Sequence, residues 1–194
     1  MRETSKSRPF RELFRDFEKY LHGDGIDIGA GHDVLQIQMG QVRRWDIEDG
    51  DAKILNGIPD NSFDFVYSSH CLEHLDNIEV AIKNWSRVIK PPGYLYLTVP
   101  DYKLYEKCKW PSMFSDHLFS FSIDIEKKET GRSNHFNIKE NLFPVLTQNS
   151  IAPIEVRLEN YGYNYLLPDN IDQTNMGNGC SAVIQICIIG QKLC

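Results

Sequence analysis

Residues 24–33 read Asp24-Gly25-Ile26-Asp27-Ile28-Gly29-Ala30-Gly31-His32-Asp33, a short apolar strand running straight into a glycine-rich turn. Glycine in such a turn accepts backbone angles closed to other residues and lets a ligand lie against the main chain at the strand's carboxyl end. Asp27 comes two residues before Gly29, where its carboxylate is expected at the mouth of a cleft. A bare G-x-G occurs in many ordinary turns. Its weight comes from three segments downstream: the acidic WDIEDGDA at 45–52, then IPDNSFDFVYSSHCLEHL at 58–75, then IKPPGYLYLTVP at 89–100.

Around that turn, residues 25–28 form the first predicted strand and 41–45 a short second one, with room between for only a short helix or loop. Phe63 to Ser68 alternates and reads as a strand entered through the turn Pro59-Asp60-Asn61-Ser62. Asp76 is the expected N-cap of a helix whose face is Ile78, Ala81, Ile82, Trp85, Val88 and Ile89, and Pro91-Pro92-Gly93 stops it. Tyr94 to Val99 is then a buried strand. A strand–helix–strand run of this kind makes a right-handed crossover between parallel neighbours.

Upstream, Phe10, Leu13, Phe14, Phe17 and Leu21 follow a helical stripe, so residues 1–23 are expected to form one N-terminal helix ended by Gly23. Residues 101–137 lose periodicity and become aromatic and polar, the mark of an insertion or lid over a binding site. A helix interrupted by Pro144 is expected over 138–148, and closing strands over 154–160 and 181–189, joined by a polar stretch at 168–179. Tyr161, Tyr163 and Tyr165 alternate and would share one face if extended. One domain over 1–194 accommodates all of this, because the length suits one full core and not two.

The ordered set of motifs over about 24–101 resembles the class I S-adenosylmethionine-dependent methyltransferases, specifically the small-molecule (type 11-like) group with FDxVxSxxxLEH on its fourth strand. The resemblance implies an α/β fold: a Rossmann-like, doubly wound, mostly parallel sheet with an antiparallel last strand. Asp46 is followed almost at once by Asp51 and Ala52, so the sheet is expected to be abbreviated around its second and third strands. Pro92 stands where the group usually has glycine.

The cofactor implied is S-adenosyl-L-methionine, leaving as S-adenosyl-L-homocysteine. Under the resemblance, Asp27 serves the ammonium group, directly or through water, while Ile28, Gly29, Ala30, Gly31 and Ser69 flank the methionine part. Asp46 accepts from the ribose hydroxyls, Asp51 from the adenine amino group, and the Ala52 N–H meets the ring. A merely solvated acidic loop over 46–51 is the bland alternative. A nicotinamide dinucleotide site fits less well: it wants a third glycine where Val34 stands, and an acid further on than Asp46.

His70, Glu73 and His74 fall at i, i+3 and i+4, and His117 sits in the insertion. Three roles compete for them. A histidine among His70, His74 and His117 can be the general base for an acceptor hydroxyl. The cluster His70, Glu73, His74, His117 can instead hold a divalent metal, an arrangement that resembles the E-x-x-E-H pattern of certain O-methyltransferases with His70 replacing the first Glu. Or Glu73 and His74 simply cap and pack the turn. The metal is the less favoured of the two chemical roles. Tyr102, Tyr105, Trp110, Phe114 and Phe119 give the insertion aromatic walls for a sugar or planar acceptor, or merely anchor the loop.

Composition limits the classes. Hydrophobic residues make up 41% and charged residues 25% of the 194, ordinary for a soluble globular protein, and the net charge of −6 speaks against a nucleic-acid surface. No apolar run approaches membrane-spanning length, no targeting signal is read, and the five scattered cysteines lack any C-x-x-C spacing, so a reducing cytoplasm is expected. The expected partner is a small-molecule acceptor; oligomeric state cannot be read. A methyltransferase-like protein that has lost catalysis and only binds remains the alternative from another class.

Overall fold

The glycine turn sits at the end of the strand next to one edge of a six-stranded sheet. The structure is a computed structural model and describes residues 3–114, 116–175, 177, 179 and 181–194. Strand β1 (Gly23–Ile28) pairs in parallel with β2 (Gly40–Trp45) on one side and β3 (Phe63–Ser69) on the other, and β3 pairs in parallel with β4 (Ile89–Val99). β8 (Gln185–Lys192) runs antiparallel to both β4 and the edge strand β7 (Ile151–Glu159). The order is β2-β1-β3-β4-β8-β7. This is the mostly parallel sheet expected, and no strand forms between β2 and β3 among the described residues, so the abbreviation read from the Asp46–Asp51 spacing is real.

Alternation decides what each face of the sheet carries. Ile26 and Ile28 of β1, Val66 of β3, Leu95 and Leu97 of β4, and Ile186 and Ile188 of β8 pack on one side against α4 (Ile78–Val88) and α6 (Phe143–Gln148). Burying each such side chain contributes about 1.5–3 kcal/mol. The fully buried Trp85 of α4 also donates its indole N–H to the Ala52 carbonyl at 2.8 Å, which ties the acidic loop after β2 to the core. The cap of α4 is Asn77, whose side chain accepts from the Val80 N–H at 3.0 Å, and not Asp76; the Asp76 carboxylate instead pairs with Lys53 at 2.5 Å.

On the opposite face the sheet presents Phe65, Tyr67, Tyr96, Cys187 and Ile189. The single N-terminal helix expected over 1–23 is not found. Three short helices replace it, α1 (Glu3–Lys6), α2 (Arg8–Leu13) and α3 (Asp16–Lys19), broken at Arg15 with φ of 60°. Phe17 and Leu21 of the expected stripe are buried, but Leu13 is 73% exposed and Phe14 38%. The reason lies in the tyrosines beneath. Arg11 is buried and donates to the Tyr67 hydroxyl at 3.0 Å, and Asp16 is buried and accepts from the Tyr96 hydroxyl at 2.8 Å and from Arg157. A polar, charged seam covers this face, and an apolar periodicity cannot show it.

Residues 101–137 are not structureless. They carry β5 (Ser120–Ser122), α5 (Lys127–Thr130) and β6 (His135–Asn137), with β5 and β6 paired in parallel, and the chain returns to the sheet by way of a π-helical turn over Ile138–Leu142. The alternation of Tyr161, Tyr163 and Tyr165 does not make a strand: Tyr161 and Tyr165 are exposed, while Tyr163 packs beside Leu104 and Tyr105. Cys71 and Cys187 are buried as reduced thiols; Cys180, and parts of the polar connection read at 168–179, lie outside the described residues. Among the described residues no helix is long and apolar enough to cross a membrane.

Candidate active site

The carboxyl ends of β1, β2 and β3 open into a cleft with two adjoining lobes that share Gly29, His70, His74 and Asp116. The first lobe, of about 660 Å³, is walled by Asp46, Ile47, Gly50, Asp51, Ala52, Cys71 and Leu75. The second, of about 280 Å³, is walled by Gly29, Ala30, Gly31 and Ser69 on the sheet side, by Glu73, His74, Tyr105, Phe114 and His117 opposite, and by Glu3 and Thr4 above. The site therefore lies at the crevice outside the strand ends, where open α/β sheets bind ligands.

Gly29 and Gly31 have φ of +75° and +54°, both left-handed. They are needed for different reasons. A Cβ on Gly29 would stand 2.5 Å from the Cys71 sulfur, so this glycine serves packing behind the turn. A Cβ on Gly31 would meet nothing within 4 Å but the Asp46 carboxylate at 3.9 Å, so this one leaves the cleft clear. The turn is pinned from β2: Asp46 Oδ2 accepts from the Gly31 N–H at 2.5 Å, and Arg44 donates to the Gly31 carbonyl at 2.8 Å. Asp51 is half exposed, with its carboxylate accepting from the Lys53 N–H at 2.8 Å.

Of the sequence-predicted cofactor residues, Gly29, Ala30, Gly31, Asp46, Asp51, Ala52 and Ser69 are brought to the cleft. Asp27 and Ile28 are not among the lining residues. Both are buried beneath the turn. The Asp27 carboxylate accepts from the Leu35 N–H at 2.7 Å through one oxygen, and the other oxygen is buried with no hydrogen-bond partner among the described residues. Burial is the main cause that lifts its pKa to about 7, with Arg11 pulling the other way.

The second lobe gathers four residues the sequence singled out: His70, Glu73, His74 and His117. His70 follows β3 with φ of 51°; Glu73 and His74 sit in the 3-10 turn Leu72–His74. His117 arrives from the 101–137 segment, which is stitched on by the Leu118 and Phe119 N–H groups donating to the Glu73 carbonyl at 2.7 and 3.2 Å. The partners of the rings assign their tautomers. His74 Nδ1 lies 3.1 Å from the Asp116 carbonyl, which can only accept. His117 Nδ1 lies 2.5 Å from Glu106, whose other oxygen accepts from Ser112 at 2.6 Å. Gln185 donates through its amide nitrogen to Glu159, so its oxygen, 3.3 Å from His70 Nε2, accepts from that ring. Because burial disfavours the charged ring, His70 and His74 are each left with one unprotonated nitrogen.

Burial holds His70 neutral, pushing its pKa down to about 3, and lowers that of His74. Glu73 is wholly buried, neither oxygen has a hydrogen-bond partner among the described residues, and burial, with the Glu106 and Asp116 charges adding, keeps its carboxyl far above the ordinary range. Glu106 and Ser112, which hold His117, had no signal in the sequence, since nothing in an irregular segment announces a buried carboxylate. Of the insertion's aromatic residues, Tyr105 and Phe114 reach the lobe. Tyr102, Trp110 and Phe119 do not line it; Tyr102 and Trp110 flank the Arg132 guanidinium at 4.7 and 4.6 Å instead.

Residues 12–97 match a family described as a methyltransferase domain. No curated protein sequence matches the chain. Among solved structures, an S-adenosylmethionine-dependent methyltransferase of Methanosarcina mazei superposes with a TM-score of 0.57 at 19% identity, covering 92% of this chain and 97% of its own. A second such enzyme, from Thermotoga maritima, gives 0.54 at 16% identity with all of both chains covered. The Burkholderia thailandensis 1,6-didemethyltoxoflavin-N1-methyltransferase, solved with S-adenosylhomocysteine, gives 0.54 at 13% identity, covering 97% of this chain and 79% of its own. The chain carries the fold of the class I S-adenosylmethionine-dependent methyltransferases, and residues 12–97 match their methyltransferase-domain family.

Proposed function

We propose that the chain transfers a methyl group from S-adenosylmethionine to a hydroxyl oxygen of a small polar molecule, a sugar or a related compound, in the cytoplasm. The observation that carries this reading is the two-lobed cleft, in which a cofactor lobe and a lobe rich in proton acceptors meet at Gly29 and His70. The residues fit the cofactor. The first lobe is of ligand size, the Gly31 Cα leaves its side of the cleft clear, and Asp46, Asp51 and the Ala52 backbone stand at its wall as partners for ribose and adenine. Ala30 and Ser69 flank the passage into the second lobe, where the amino-acid end would lie.

When bound, the cofactor supplies an electrophilic methyl group on a positively charged sulfur. The chain's own work is then positioning and proton acceptance. Tyr105 and Phe114 wall the acceptor lobe and exclude water, which favours a reaction that quenches charge. An acceptor hydroxyl entering there meets the unprotonated nitrogens of His70, His74 and His117, and one of them takes its proton as the oxygen attacks. His117 is the best held, with Glu106 fixing its ring and stabilising the imidazolium that forms. Alignment of acceptor and methyl supplies much of the remaining acceleration.

Incubation with methyl-labelled S-adenosylmethionine and a panel of polyhydroxylated compounds, phenols and amines tests the reading. Label is expected in a base-stable ether, with a rate lowered about 10²-fold or more by His117→Ala. Label found on nitrogen alone would overturn the oxygen assignment, and no transfer to any acceptor would favour a protein that binds without catalysis.

A further inference from the structure

We propose that Glu73, His74 and His117 form a binding site for a divalent transition-metal cation, opening into the acceptor lobe. One ligand atom from each of the three lies within 4.8 Å of the other two. The distance from His74 Nε2 to Glu73 Oε1 is 3.8 Å. Small rotations of the side chains bring such a set to the roughly 2.0–2.2 Å metal distances of imidazole and carboxylate ligands.

Two independent features set this cluster apart from a chance meeting of polar residues. The first is the orientation of the histidines. His74 and His117 each spend Nδ1–H on a fixed acceptor, the Asp116 carbonyl and the Glu106 carboxylate, and so aim the lone pair of Nε2 inward. Ligating histidines are held in this way, by a carbonyl or carboxylate on the far nitrogen. Ser112 in turn donates to the remaining Glu106 oxygen, which fixes that support. The second feature is the Glu73 carboxyl itself. It is fully buried, and neither oxygen has a hydrogen-bond partner among the described residues. His74 Nε2 stands 3.8 Å and His70 Nδ1 3.6 Å from Glu73 Oε1, both acceptors in the tautomers set by their partners. A buried carboxyl whose oxygens find no partner is costly by itself. A cation satisfies all of them at once.

Two imidazoles and one carboxylate suit zinc, cobalt, iron or manganese better than calcium or magnesium, which prefer all-oxygen sets. Three protein ligands leave coordination positions open toward the cavity, as in sites that bind a substrate rather than only brace a fold. On the methyl-transfer reading, and only there does the inference rest on it, those positions would receive the acceptor's oxygens, which selects acceptors with two neighbouring hydroxyls; His74 and His117 then act as ligands instead of proton acceptors, and His117→Ala lowers the rate through loss of the cation.

The test is calorimetric titration of the metal-free protein with Co²⁺ and with Zn²⁺, with the Co²⁺ absorption spectrum recorded, and with S-adenosylhomocysteine titrated into the same preparations. The expected result is one cation per chain with a cobalt spectrum of low coordination number. Affinity should fall at least about 100-fold in Glu73→Gln and His117→Ala, and about 10- to 100-fold in Glu106→Gln, which removes the charge behind His117. His22→Ala, at an exposed position far from the cleft, should change nothing. S-adenosylhomocysteine binding retained in Glu73→Gln shows that this variant folds. Wild-type protein that binds S-adenosylhomocysteine but takes up no stoichiometric cation overturns the proposal and leaves the methyl-transfer reading standing. Uptake undiminished in both Glu73→Gln and Glu106→Gln overturns it as well. Cation uptake lost in those variants, in a protein indifferent to S-adenosylhomocysteine, upholds the site and overturns the methyl-transfer reading instead.

Discussion

Asp46→Ala is expected to weaken S-adenosylhomocysteine binding by about 10² or more. One carboxylate at the end of β2 has two tasks. It holds the glycine turn, through the Gly31 N–H at 2.5 Å and the Arg44 guanidinium at 3.3 Å. It also lines the first lobe, where, on the proposed function, its remaining lone pairs would accept from two vicinal ribose hydroxyls. Hydrogen bonds to a charged acceptor contribute about 1.5–3 kcal/mol each, so loss of two is worth roughly a factor of 10² before any disorder of the turn is counted. The effect on folding should be small, because the Arg44 ion pairs with Asp46, Glu48 and Asp49 lie near the surface and are screened. Asp46→Asn keeps the shape and loses the charge, and should fall between the two. Calorimetry on the three proteins reads this directly; an alanine variant that binds like wild type would remove Asp46 from the ribose.

The second large effect concerns Asp27 and pH. Its folded pKa of about 7 lies above the ordinary 3.8, so the folded chain holds a proton that the unfolded chain has already released. Stability contributed by this group is therefore full at low pH and is lost as pH rises from about 4 to about 7, by on the order of 4 kcal/mol in all. Asp27→Asn keeps an oxygen to accept the Leu35 N–H and removes the titration. The variant is expected to melt near the wild-type temperature at pH 4 and several degrees above it at pH 8. Thermal melts at the two pH values decide the matter, and a difference that does not grow with pH would contradict the buried, unpaired carboxylate. If this carboxylate also serves the cofactor's ammonium group, the stabilised variant should bind S-adenosylhomocysteine more weakly at pH 8, a trade of stability against function.

The cofactor half was legible because its signals are local. The alternation at Phe63–Ser69, the amphipathic run Ile78–Val88 and the glycine turn each follow from a few neighbouring residues, and the short interval between Asp46 and Asp51 announced the missing strand. Errors there were ones of boundary: Asn77 and not Asp76 caps α4, and β4 begins at Ile89 and not Tyr94, taking in Pro91, Pro92 and Gly93. The N-terminal segment misled for a physical reason: apolar spacing promised a buried stripe, while the sheet beneath offered tyrosine hydroxyls and took Arg11 and Asp16 instead. At the site, spacing placed His70, Glu73 and His74 in one group and the resemblance added His117, and the chain does fold them together. What no spacing could supply was the set of partners that orient them. Glu106, Ser112 and Gln185 act across irregular backbone or across the sheet, and their roles exist only after the chain has folded. Asp27 shows the reverse case, a motif position that sequence aims at the cleft and packing turns beneath it.

The central claim is that the cleft is built for S-adenosylmethionine. Titration of the unaltered protein with S-adenosylhomocysteine, beside the same titration with NAD, tests it most directly. One-to-one binding of S-adenosylhomocysteine in the micromolar range, about −8 kcal/mol, with no heat from NAD, is the result predicted. Protein that is folded yet takes up no S-adenosylhomocysteine would contradict it, whatever the fold resembles.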